Sequence, residues 1–367
     1  MSAIATIVAT ATAVPPHSAT QDQVKAAFAE LLALSPKRLA AVMAIFDNSQ
    51  IERRHSVYPL QAVGQRRALT DTMRDYRQHA ITLGRDVAAR ALADARLTAA
   101  DIDLFITVSC TGIMIPSLDA YLAGEMGFRS DVRRLPITEL GCFGGAAALA
   151  RARDFLCGFP EANVLVVAVE LPSLSLQLED LSLDNLVSSA LFGDGAAAVV
   201  MRGGASANNA AADNASANRP TGGVRVVETL SHIFPNSTNA LGFDLQTDGF
   251  HCVLSKTVPV LLKSEIATLV DNLTRRAGLT RHDLTCFVLH PGGKRILGCV
   301  EEELLLTRDD TQPSWDVLRD YGNQSSASVL FVLHEWITKR RPPSGAYGLM
   351  AAFGPGLSTE LLLLQWS

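Results

Sequence analysis

Short apolar runs alternate with longer segments of helical period along almost the whole sequence. Segments such as "HAITLGRDVAARALADARL" (79–97) have apolar residues at the three- and four-residue spacing of a helix. Strands buried on both faces read as continuous apolar runs, so the alternation predicts an α/β fold with buried sheets. The runs are "AIATIVATATAVPP" (3–16), "IDLFITVSC" (102–110), "ANVLVVAVE" (162–170), "GAAAVVMRGG" (195–204), "LTCFVLHPGG" (284–293) and "AYGLMAAFGPG" (346–356).

A polar segment of low complexity, "GGASANNAAADNASANRPTGG" (203–223), interrupts this pattern. It holds too little apolar surface to offset the entropy of ordering it, so it predicts a flexible linker between residues 1–202 and residues 224–367. Each part contains a helix, an "LT..D" turn and a strand in the same order, ending at Cys110 in one and at His290 in the other. We therefore expect two duplicated halves, with polar residues at equivalent strand ends, where open α/β sheets place their sites.

Composition narrows the class of protein. The 367 residues, 48% of them hydrophobic, suffice for two large halves, and the net charge of −5 gives no support for nucleic acid or an anionic membrane as partner. The six cysteines have no CxxC or zinc-finger spacing, which is typical of reduced thiols without a metal. No run of about 18 apolar residues predicts a membrane span, and no charged segment precedes Lys25 as in a signal peptide. We expect a soluble cytoplasmic protein.

Cys142 is the cysteine whose surroundings indicate chemistry. It stands in "LPITELGCFGGAAALARA" (135–152), where an apolar run ends in a Gly-Cys step and an alanine-rich helical pattern begins. A thiol at the start of a helix lies at the positive end of the helix dipole, which favours the thiolate. Gly141, Gly144 and Gly145 permit a tight strand-to-helix turn and are expected to leave room for an acyl group beside the sulfur. We therefore interpret Cys142 as a nucleophile whose pKa is lowered.

Two further residues suit a partnership with this thiol. His290 ends the strand pattern "CFVLH" and precedes a Pro-Gly-Gly turn, and Asn323 stands just before a helical pattern. A neutral amide can donate to a developing enolate or oxyanion, although an asparagine before a helix can equally act only as a cap. Cys, His and Asn together admit acyl transfer onto carbon or papain-like proteolysis, but the Cys-Trp step and secretory context of papain-like proteases are missing.

The sequence resembles the type III polyketide synthases, the chalcone-synthase-like branch of the thiolase superfamily. Only the region before residue 45 and the 203–223 segment lack clear counterparts. The resemblance implies a thiolase-like five-layered αβαβα fold with two duplicated halves, and a homodimer. The matching motifs are "VSCTGIMIPSLDAYL" (108–122), "GFRSDVRRLPITELGCFGG" (127–145), "LFGDGAAAVV" (191–200), "LHPGGKRIL" (289–297), "YGNQSSASVLFVL" (321–333) and "AFGPGLSTELLLLQW" (352–366).

The same resemblance implies the reaction and its residues. Cys142 matches the nucleophile, and His290 and Asn323 match the catalytic histidine and asparagine. The substrates are an acyl-CoA starter and malonyl-CoA, and no cofactor is implied beyond these CoA thioesters. His290 and Asn323 are expected to stabilise the enolate formed when malonyl-CoA loses carbon dioxide. The loop "FGPG" (353–356) is expected to pack under the site.

Other matches describe the substrate cavity. Phe192 and Cys252 match the two positions that separate the CoA tunnel from the cavity, although Cys252 stands where an aromatic residue is usual. Ile115 matches the residue that reaches across the dimer to line the partner's cavity. A hydrogen-bonded relay that activates water in aldol-cyclising members is matched by Cys110, Glu170 and Ser325. Because a thiol at position 110 is a poorer donor than a hydroxyl, closure to a pyrone is expected alongside or instead of a resorcinol.

The CoA phosphate contacts depart from the family pattern. The positions that are basic in plant members are Ala41, Ala44 and Asn48 here. Since a guanidinium or an ammonium is all that a phosphate needs, other basic side chains are expected to take over. The candidates are Arg53, Arg54, Lys294 and Arg295.

The starter is predicted from the cavity wall. Small side chains at Cys252 and Cys110, and the aliphatic segment "ELPSLSLQL" (170–178), predict a wide apolar tunnel. Such a tunnel favours medium- to long-chain fatty acyl starters, giving an alkylpyrone or an alkylresorcinol. The alternatives are a single-condensation ketoacyl synthase or hydroxymethylglutaryl-CoA synthase, a synthase using only malonyl-CoA to give a small phenolic or naphthalene product, and a binding protein without activity.

Overall fold

The structure, a computed structural model, describes residues 4–32, 34–65, 67–204 and 223–367. The predicted linker lies almost wholly outside them, so the division of the chain at 203–223 stays a prediction. The described strands are β1 (Ile4–Ala13), β2 (His17–Thr20), β3 (Arg53–Ser56), β4 (Leu104–Val108), β5 (Arg133–Ile137), β6 (Asn163–Glu170), β7 (Gly195–Gly204), β8 (Val224–Ile233), β9 (Leu241–Gln246), β10 (Gly249–Leu254), β11 (Leu284–Leu289), β12 (Tyr347–Gly354) and β13 (Ser358–Trp366).

The helices lie between these strands, as the alternation of patterns predicts. None of the helices in the described ranges combines the length and apolarity needed to cross a membrane. The α-helices of this part are α1 (Gln21–Leu31), α2 (Pro36–Asp47), α3 (Leu60–Val63), α4 (Leu69–Asp94), α5 (Leu118–Met126), α6 (Gly144–Gly158), α7 (Leu183–Leu191), α8 (Val258–Arg276), α9 (Lys294–Leu304), α10 (Gln312–Tyr321) and α11 (Ser328–Glu335).

Within the described residues, nine strands form one mixed sheet in the order β11-β12-β13-β8-β1-β7-β6-β4-β5. Strands that precede residue 205 make one side of this sheet and strands that follow residue 222 make the other. The two sides meet where β1 pairs with β8, with Thr6 opposite Arg225 and Ile7 opposite Val224. In one side β4 runs parallel to β5 and β6, and in the other β11 runs parallel to β12.

Packing on the two faces of the sheet produces five layers. Ile106 and Val166 pack with α6 and α11 in a central core that also receives Val288 from the other side. The alternate residues face outward: Phe105 packs with α4 and α5 in one outer core, and Leu289 packs with α8, α9 and α10 in the other. Strands β4, β6, β12 and β13 are therefore covered on both faces along nearly their whole length, which explains their continuous apolar sequences. The predicted α/β fold with an αβαβα arrangement is confirmed.

The two halves repeat a local turn as well as a layer order. Thr98 and Asp101 form a capping box before β4, in which the Thr98 N–H donates to Asp101 Oδ2 at 2.8 Å. Thr280 and Asp283 form the same box before β11, also with a bond of 2.8 Å. The recurrent "LT..D" sequence thus sets the same entry into two equivalent strands, as the duplication predicts.

Smaller elements lie over one end of the sheet, and the sequence did not indicate their arrangement. Helices α1, α2 and α7 pack on one another through a separate apolar cluster that includes Val24, Phe28, Phe46 and Leu186. Strands β9 and β10 form a hairpin outside the main sheet. Helices α1 and α7 and this hairpin form walls of a cavity at the candidate site.

Candidate active site

Cys142 lies in a single 3₁₀ turn, Gly141–Phe143, that leads directly into α6. Gly141 has a φ of 60°, in the left-handed region that favours glycine. A Cβ on Gly141 would lie 2.5 Å from Cδ of Pro355, so the loop "FGPG" packs against the residue before the thiol. The strand-to-helix turn predicted around Cys142 is therefore present.

The next two glycines have a different role from the one expected. A Cβ on Gly144 would lie 2.7 Å from a side-chain carbon of Val108, and one on Gly145 would lie 2.2 Å from the carbonyl oxygen of Ser326. Their missing side chains are therefore replaced by protein atoms and do not leave room for an acyl group. They let the start of α6 approach β4 and the 3₁₀ turn Ser325–Ala327 closely.

His290 follows β11 directly, at the strand end where the sequence predicts it. Its N–H donates to the Ala351 carbonyl at 2.8 Å, which fixes the backbone, while both ring nitrogens are buried without a hydrogen-bond partner among the described residues. Burial lowers the pKa of His290 to about 3, so the imidazole is neutral at neutral pH. A neutral imidazole offers one donor and one acceptor to whatever enters the site.

Hydrogen bonds fix the backbone of Asn323 and its side-chain oxygen. Its N–H donates to Leu191 O at 2.8 Å, and its Oδ1 accepts a bond of 2.8 Å from the Ser325 N–H. The Nδ2 group makes a long bond of 3.5 Å to the Gly292 carbonyl, two residues after His290. The amide oxygen thus caps the Ser325–Ala327 turn, and the amide nitrogen stays oriented toward the His290 segment. The sequence left a capping role and a donor role for Asn323 as alternatives. The two are compatible, because the cap uses the side-chain oxygen and the donor is the side-chain nitrogen.

The predicted relay residues are in contact. Cys110 Sγ lies 3.5 and 3.6 Å from the two carboxylate oxygens of Glu170 and 3.2 Å from Ser325 Oγ. The Ser325 hydroxyl also bonds the Cys142 thiol, so one hydroxyl joins both thiols. Ser325 has a φ of 49°, a conformation that non-glycine residues rarely adopt and that clusters at functional sites.

Glu170 is fully buried, and its partners are neutral donors. It accepts bonds from the Thr111 hydroxyl at 2.7 Å, from the Ser326 hydroxyl and from the Cys110 N–H at 3.1 Å. Burial raises the pKa of this carboxyl, while the Ser326 and Thr111 hydroxyls act against the rise. Sequence reasoning missed Thr111 and Ser326, although each directly follows a residue that it had selected.

Burial also sets the ionisation of the nucleophile. It raises the pKa of the Cys142 thiol to about 11, which the hydrogen bond from Ser325 opposes and the Glu170 charge reinforces. The lowered pKa expected from the helix start and His290 is therefore not found. At neutral pH the Cys142 thiol and the His290 imidazole are therefore both neutral.

A cavity extends from Cys110 and Ser325 toward α1 and α3. Phe192 and Cys252, the two predicted gate residues, both line it. Cys252 pairs directly opposite Phe243 in the hairpin, and the Phe243 ring centroid lies 6.2 Å from that of Phe192. The Phe250 ring lies 6.4 Å from the Phe243 ring and lines the same cavity. Two phenylalanines thus stand beside the cysteine that replaces the usual aromatic residue.

The wall formed by residues 170–178 is less apolar than predicted. The 3₁₀ turn Pro172–Ser175 directs Leu174 into the core under the sheet, where it is buried. Ser173 and Ser175 line the cavity instead, together with Leu176. The prediction of an aliphatic wall is wrong at Leu174, which the turn directs into the core, whereas Pro172 and Leu176 do line the cavity.

The basic residues proposed for CoA phosphates occupy different environments. Arg54 is 9% exposed and its guanidinium donates to two main-chain carbonyls, so it is not available to a phosphate. Arg53 is exposed and lines a groove beside Glu52, while Lys294 and Arg295 are exposed at the start of α9. Arg54 is therefore removed from the candidates, and the other three stay predictions.

Ile115 lies on the loop between β4 and α5, and its side chain is exposed. It is 95% exposed, and Ile113 two residues earlier is 47% exposed. A nearly fully exposed isoleucine beside another exposed isoleucine fits a surface that contacts a partner, as expected for this position.

Comparison with known proteins agrees with the geometry. Residues 1–206 match the family described as chalcone and stilbene synthases, N-terminal domain, and residues 225–366 match its C-terminal domain. The chain is 37% identical over 366 residues to a 1,3,6,8-tetrahydroxynaphthalene synthase of Streptomyces peucetius, covering 98% of this chain and 93% of that protein. It is 30% identical to the alpha-pyrone synthesis polyketide synthase-like Pks18 of Mycobacterium tuberculosis, with 99% and 91% covered.

Among solved structures, a similar one is the 1,3,6,8-tetrahydroxynaphthalene synthase of Streptomyces coelicolor, a bacterial type III polyketide synthase. The TM-score is 0.91 at 35% identity, with 99% of each chain covered. The match extends through both sides of the sheet and through the cavity walls, so the likeness concerns the whole described architecture.

Proposed function

Because the chain belongs to the chalcone and stilbene synthase family and is a type III polyketide synthase, we propose that it uses malonyl-CoA as both starter and extender. The product would be a small polyhydroxylated aromatic, of which 1,3,6,8-tetrahydroxynaphthalene is the leading candidate. The use of malonyl-CoA alone thereby becomes the first candidate, and the fatty acyl starter predicted from the sequence becomes the second.

The observation that carries the proposal is the polarity of the inner cavity. Next to Cys110 and Ser325, its lining includes the side chains of Thr111, Ser173 and Ser175. These three hydroxyls donate to Glu170, Asp194 and the Thr111 carbonyl, so they present polar oxygens to the cavity. A poly-β-keto chain, which carries an oxygen on every second carbon, is more compatible with such a polar lining than an alkyl chain is. Two relatives that share this length and fold are tetrahydroxynaphthalene synthases, which supports the same choice.

The loading step is proposed to use Cys142 and His290, both neutral at neutral pH. As the thioester arrives, His290 takes the thiol proton and the sulfur attacks the carbonyl carbon. The C–S bond to CoA breaks, CoA leaves as its thiol with the proton returned by His290, and the acyl group remains on Cys142. Because burial raises the pKa of the thiol, the proton transfer is coupled to the attack.

The extension step uses the two donors that face the same region. A second malonyl-CoA loses carbon dioxide, and the electrons of the broken C–C bond form an enolate whose oxygen accepts from His290 and from Asn323 Nδ2. One such preorganised donor is typically worth about 3 kcal/mol in the transition state. The enolate carbon then attacks the acyl-Cys142 carbonyl, the C–S bond breaks with its electrons on sulfur, and the Cys142 thiolate takes a proton from water, which restores the thiol for the next transfer.

The proposed product determines how many malonyl-CoA molecules the reaction consumes and what it releases. A naphthalene ring system has ten carbons, so five malonyl-CoA molecules supply it with loss of five carbon dioxide and five CoA thiols, and one water leaves on ring closure. Glu170, held by hydroxyl, thiol and backbone donors, is proposed to accept a proton during ring closure, with Cys110 and then Ser325 between it and Cys142.

Product analysis with malonyl-CoA alone tests the proposal. Uniformly ¹³C-labelled malonyl-CoA should give a product in which every carbon is labelled, detected by mass spectrometry, with Cys142→Ala as the control. A product that forms only when a second acyl-CoA is present would refute malonyl priming. A product extended only once would indicate a ketoacyl synthase.

A fatty acyl starter is the second candidate, because the outer cavity is apolar. Val24, Phe28, Leu60 and Val63 line it, and the Pks18 relative is named for pyrone synthesis. Comparing kcat/KM for acetyl, hexanoyl, lauroyl and p-coumaroyl CoA ranks this candidate, since each buried methylene is worth about 0.8 kcal/mol. Preference for lauroyl-CoA, lost in Cys252→Phe, would establish an alkylpyrone or alkylresorcinol synthase.

We also propose that the protein is a homodimer. The exposed Ile113 and Ile115 would be buried by a second copy, with Ile115 reaching toward the partner's cavity. Light scattering of the wild type and of Ile115→Asp tests this, because a charge at this position should shift the mass toward that of one chain.

A further inference from the structure

We propose that Arg54 is a positioning residue that aligns the gate residue Phe192 with the enolate donor Asn323. Arg54 stands on β3 and is buried under the end of α7. Its Nη1 donates to Ser189 O at 2.5 Å and to Phe192 O at 2.9 Å. The carbonyls at a helix end have no partner within the helix, so one guanidinium nitrogen closes the end of α7.

The same side chain supports the segment that carries Asn323. Phe192 and Asn323 form a parallel bridge, in which the Asn323 N–H donates to Leu191 O at 2.8 Å and Gly193 donates to Asn323 O at 3.0 Å. Gly322, directly before Asn323, packs on Arg54, because a Cβ there would lie 3.2 Å from Arg54 Cγ. Arg54 therefore contacts Phe192 directly and packs on the residue that precedes Asn323.

Only part of the Arg54 guanidinium is hydrogen-bonded. Its Nε and Nη2 have no hydrogen-bond partner in the described part of the chain, and the neighbouring acid is Asp194, which bonds the backbone of Val57 and Ser173. Burial raises the pKa of Asp194 to about 6, an effect that the Arg54 charge opposes. A buried arginine without an ion pair is retained here by its two carbonyl bonds, which makes its position well defined.

This arrangement has a consequence for the reaction. If Arg54 is removed, the end of α7 and the Phe192–Asn323 bridge lose their common support, and the Asn323 amide moves relative to His290. A displacement of about 1 Å in a reacting group can cost about 100-fold in rate. The inference rests on the proposed role of Asn323 in malonyl-CoA decarboxylation, and loading of Cys142 should depend on Arg54 much less.

Substitutions at Arg54 test the proposal. We expect Arg54→Met to lower malonyl-CoA decarboxylation by about 10- to 100-fold while acyl loading of Cys142 changes by less than about threefold. Arg54→Lys, which keeps a cation and donors, should lie between Met and wild type. Arg153→Met is the matched control, since Arg153 also donates to two carbonyls, Val226 O and Val227 O, away from the cavity.

A double-mutant cycle separates positioning from general damage. If Arg54 acts through Asn323, adding Arg54→Met to Asn323→Ala causes no further loss of decarboxylation. A further loss of the same size, or unchanged decarboxylation in folded Arg54→Met, overturns the proposal. Failure of both Arg54 variants to fold also overturns it, because the residue would then be structural. Absence of decarboxylation in the wild type would instead refute the proposed function.

Discussion

Gly145→Ala should damage catalysis although it changes no catalytic side chain. The new Cβ would lie 2.2 Å from the carbonyl oxygen of Ser326. Ordinary contacts between carbon and carbonyl oxygen are about 3.3 Å or longer, so α6 and the Ser325–Ala327 turn must separate by about 1 Å. The obstructing atom belongs to the backbone and cannot rotate away.

Two effects of this separation can be given a magnitude. Cys142 lies in the 3₁₀ turn that leads directly into α6, and the opposing turn follows Asn323. A shift of about 1 Å therefore changes the distance between nucleophile and donor and should lower kcat/KM by about 100-fold. Overpacking costs about 1–3 kcal/mol, of which the better helix propensity of alanine returns at most about 1 kcal/mol. The free energy of unfolding should therefore fall by about 1–2 kcal/mol.

The assay compares malonyl-CoA consumption and urea unfolding in Gly145→Ala and Gly158→Ala. Gly158 ends the same helix, and a Cβ there would meet no atom within 4 Å. This control should keep wild-type kcat/KM and change the free energy of unfolding by no more than about 0.5 kcal/mol. A Gly145→Ala enzyme with at least a third of wild-type kcat/KM and unchanged stability would refute the backbone contact as a constraint on the site.

Three further predictions concern single side chains. Cys142→Ala should lose the starter-sized mass increment on the intact protein, and a persistent thioester would overturn the nucleophile assignment. Asn323→Ala should lower malonyl-CoA decarboxylation by about 100-fold or more while loading is largely kept; equal losses would make Asn323 only a cap. The hydrogen bond from His251 to Asp248, then that to Asp180, raises the pKa of His251, so its contribution to stability is complete below about pH 6.5 and lost as the pH rises through the raised pKa. The Tm deficit of His251→Asn should therefore be larger at pH 5.5 than at pH 8.5, and an equal deficit would contradict this.

Much of the fold was predictable because strands that are buried on both faces have continuous apolar sequences. Central strands such as β6 are buried on both faces, so Val164–Val169 are all apolar and stand out from the helical segments. The strand-end positions of Cys110 and His290 follow from the same runs. The hairpin β9–β10 gave no such signal, because it lies outside the main sheet and its side chains are half-exposed.

The sequence selects the residues of the candidate site but does not reveal their environment. Cys142, His290 and Asn323 have sequence settings that indicate chemistry and stay predictions as catalytic residues, while the structure places Cys110, Glu170 and Ser325 in contact. The thiol pKa and the role of Gly145 depend on what lies opposite in space, which spacing along the chain does not reveal. Arg54 was misjudged for the same reason, since a buried and an exposed arginine look alike in sequence.

The relay contacts join residues that are far apart along the chain. Cys110 meets Ser325 across 215 positions and Glu170 meets Ser326 across 156. Contacts of such separation form late in folding, because the intervening chain must be ordered first. During synthesis on the ribosome, the nucleophile is therefore made long before the histidine and the asparagine that complete its surroundings. We therefore expect reactivity toward thioesters to arise only when the whole chain has folded, so that incomplete chains are not acylated.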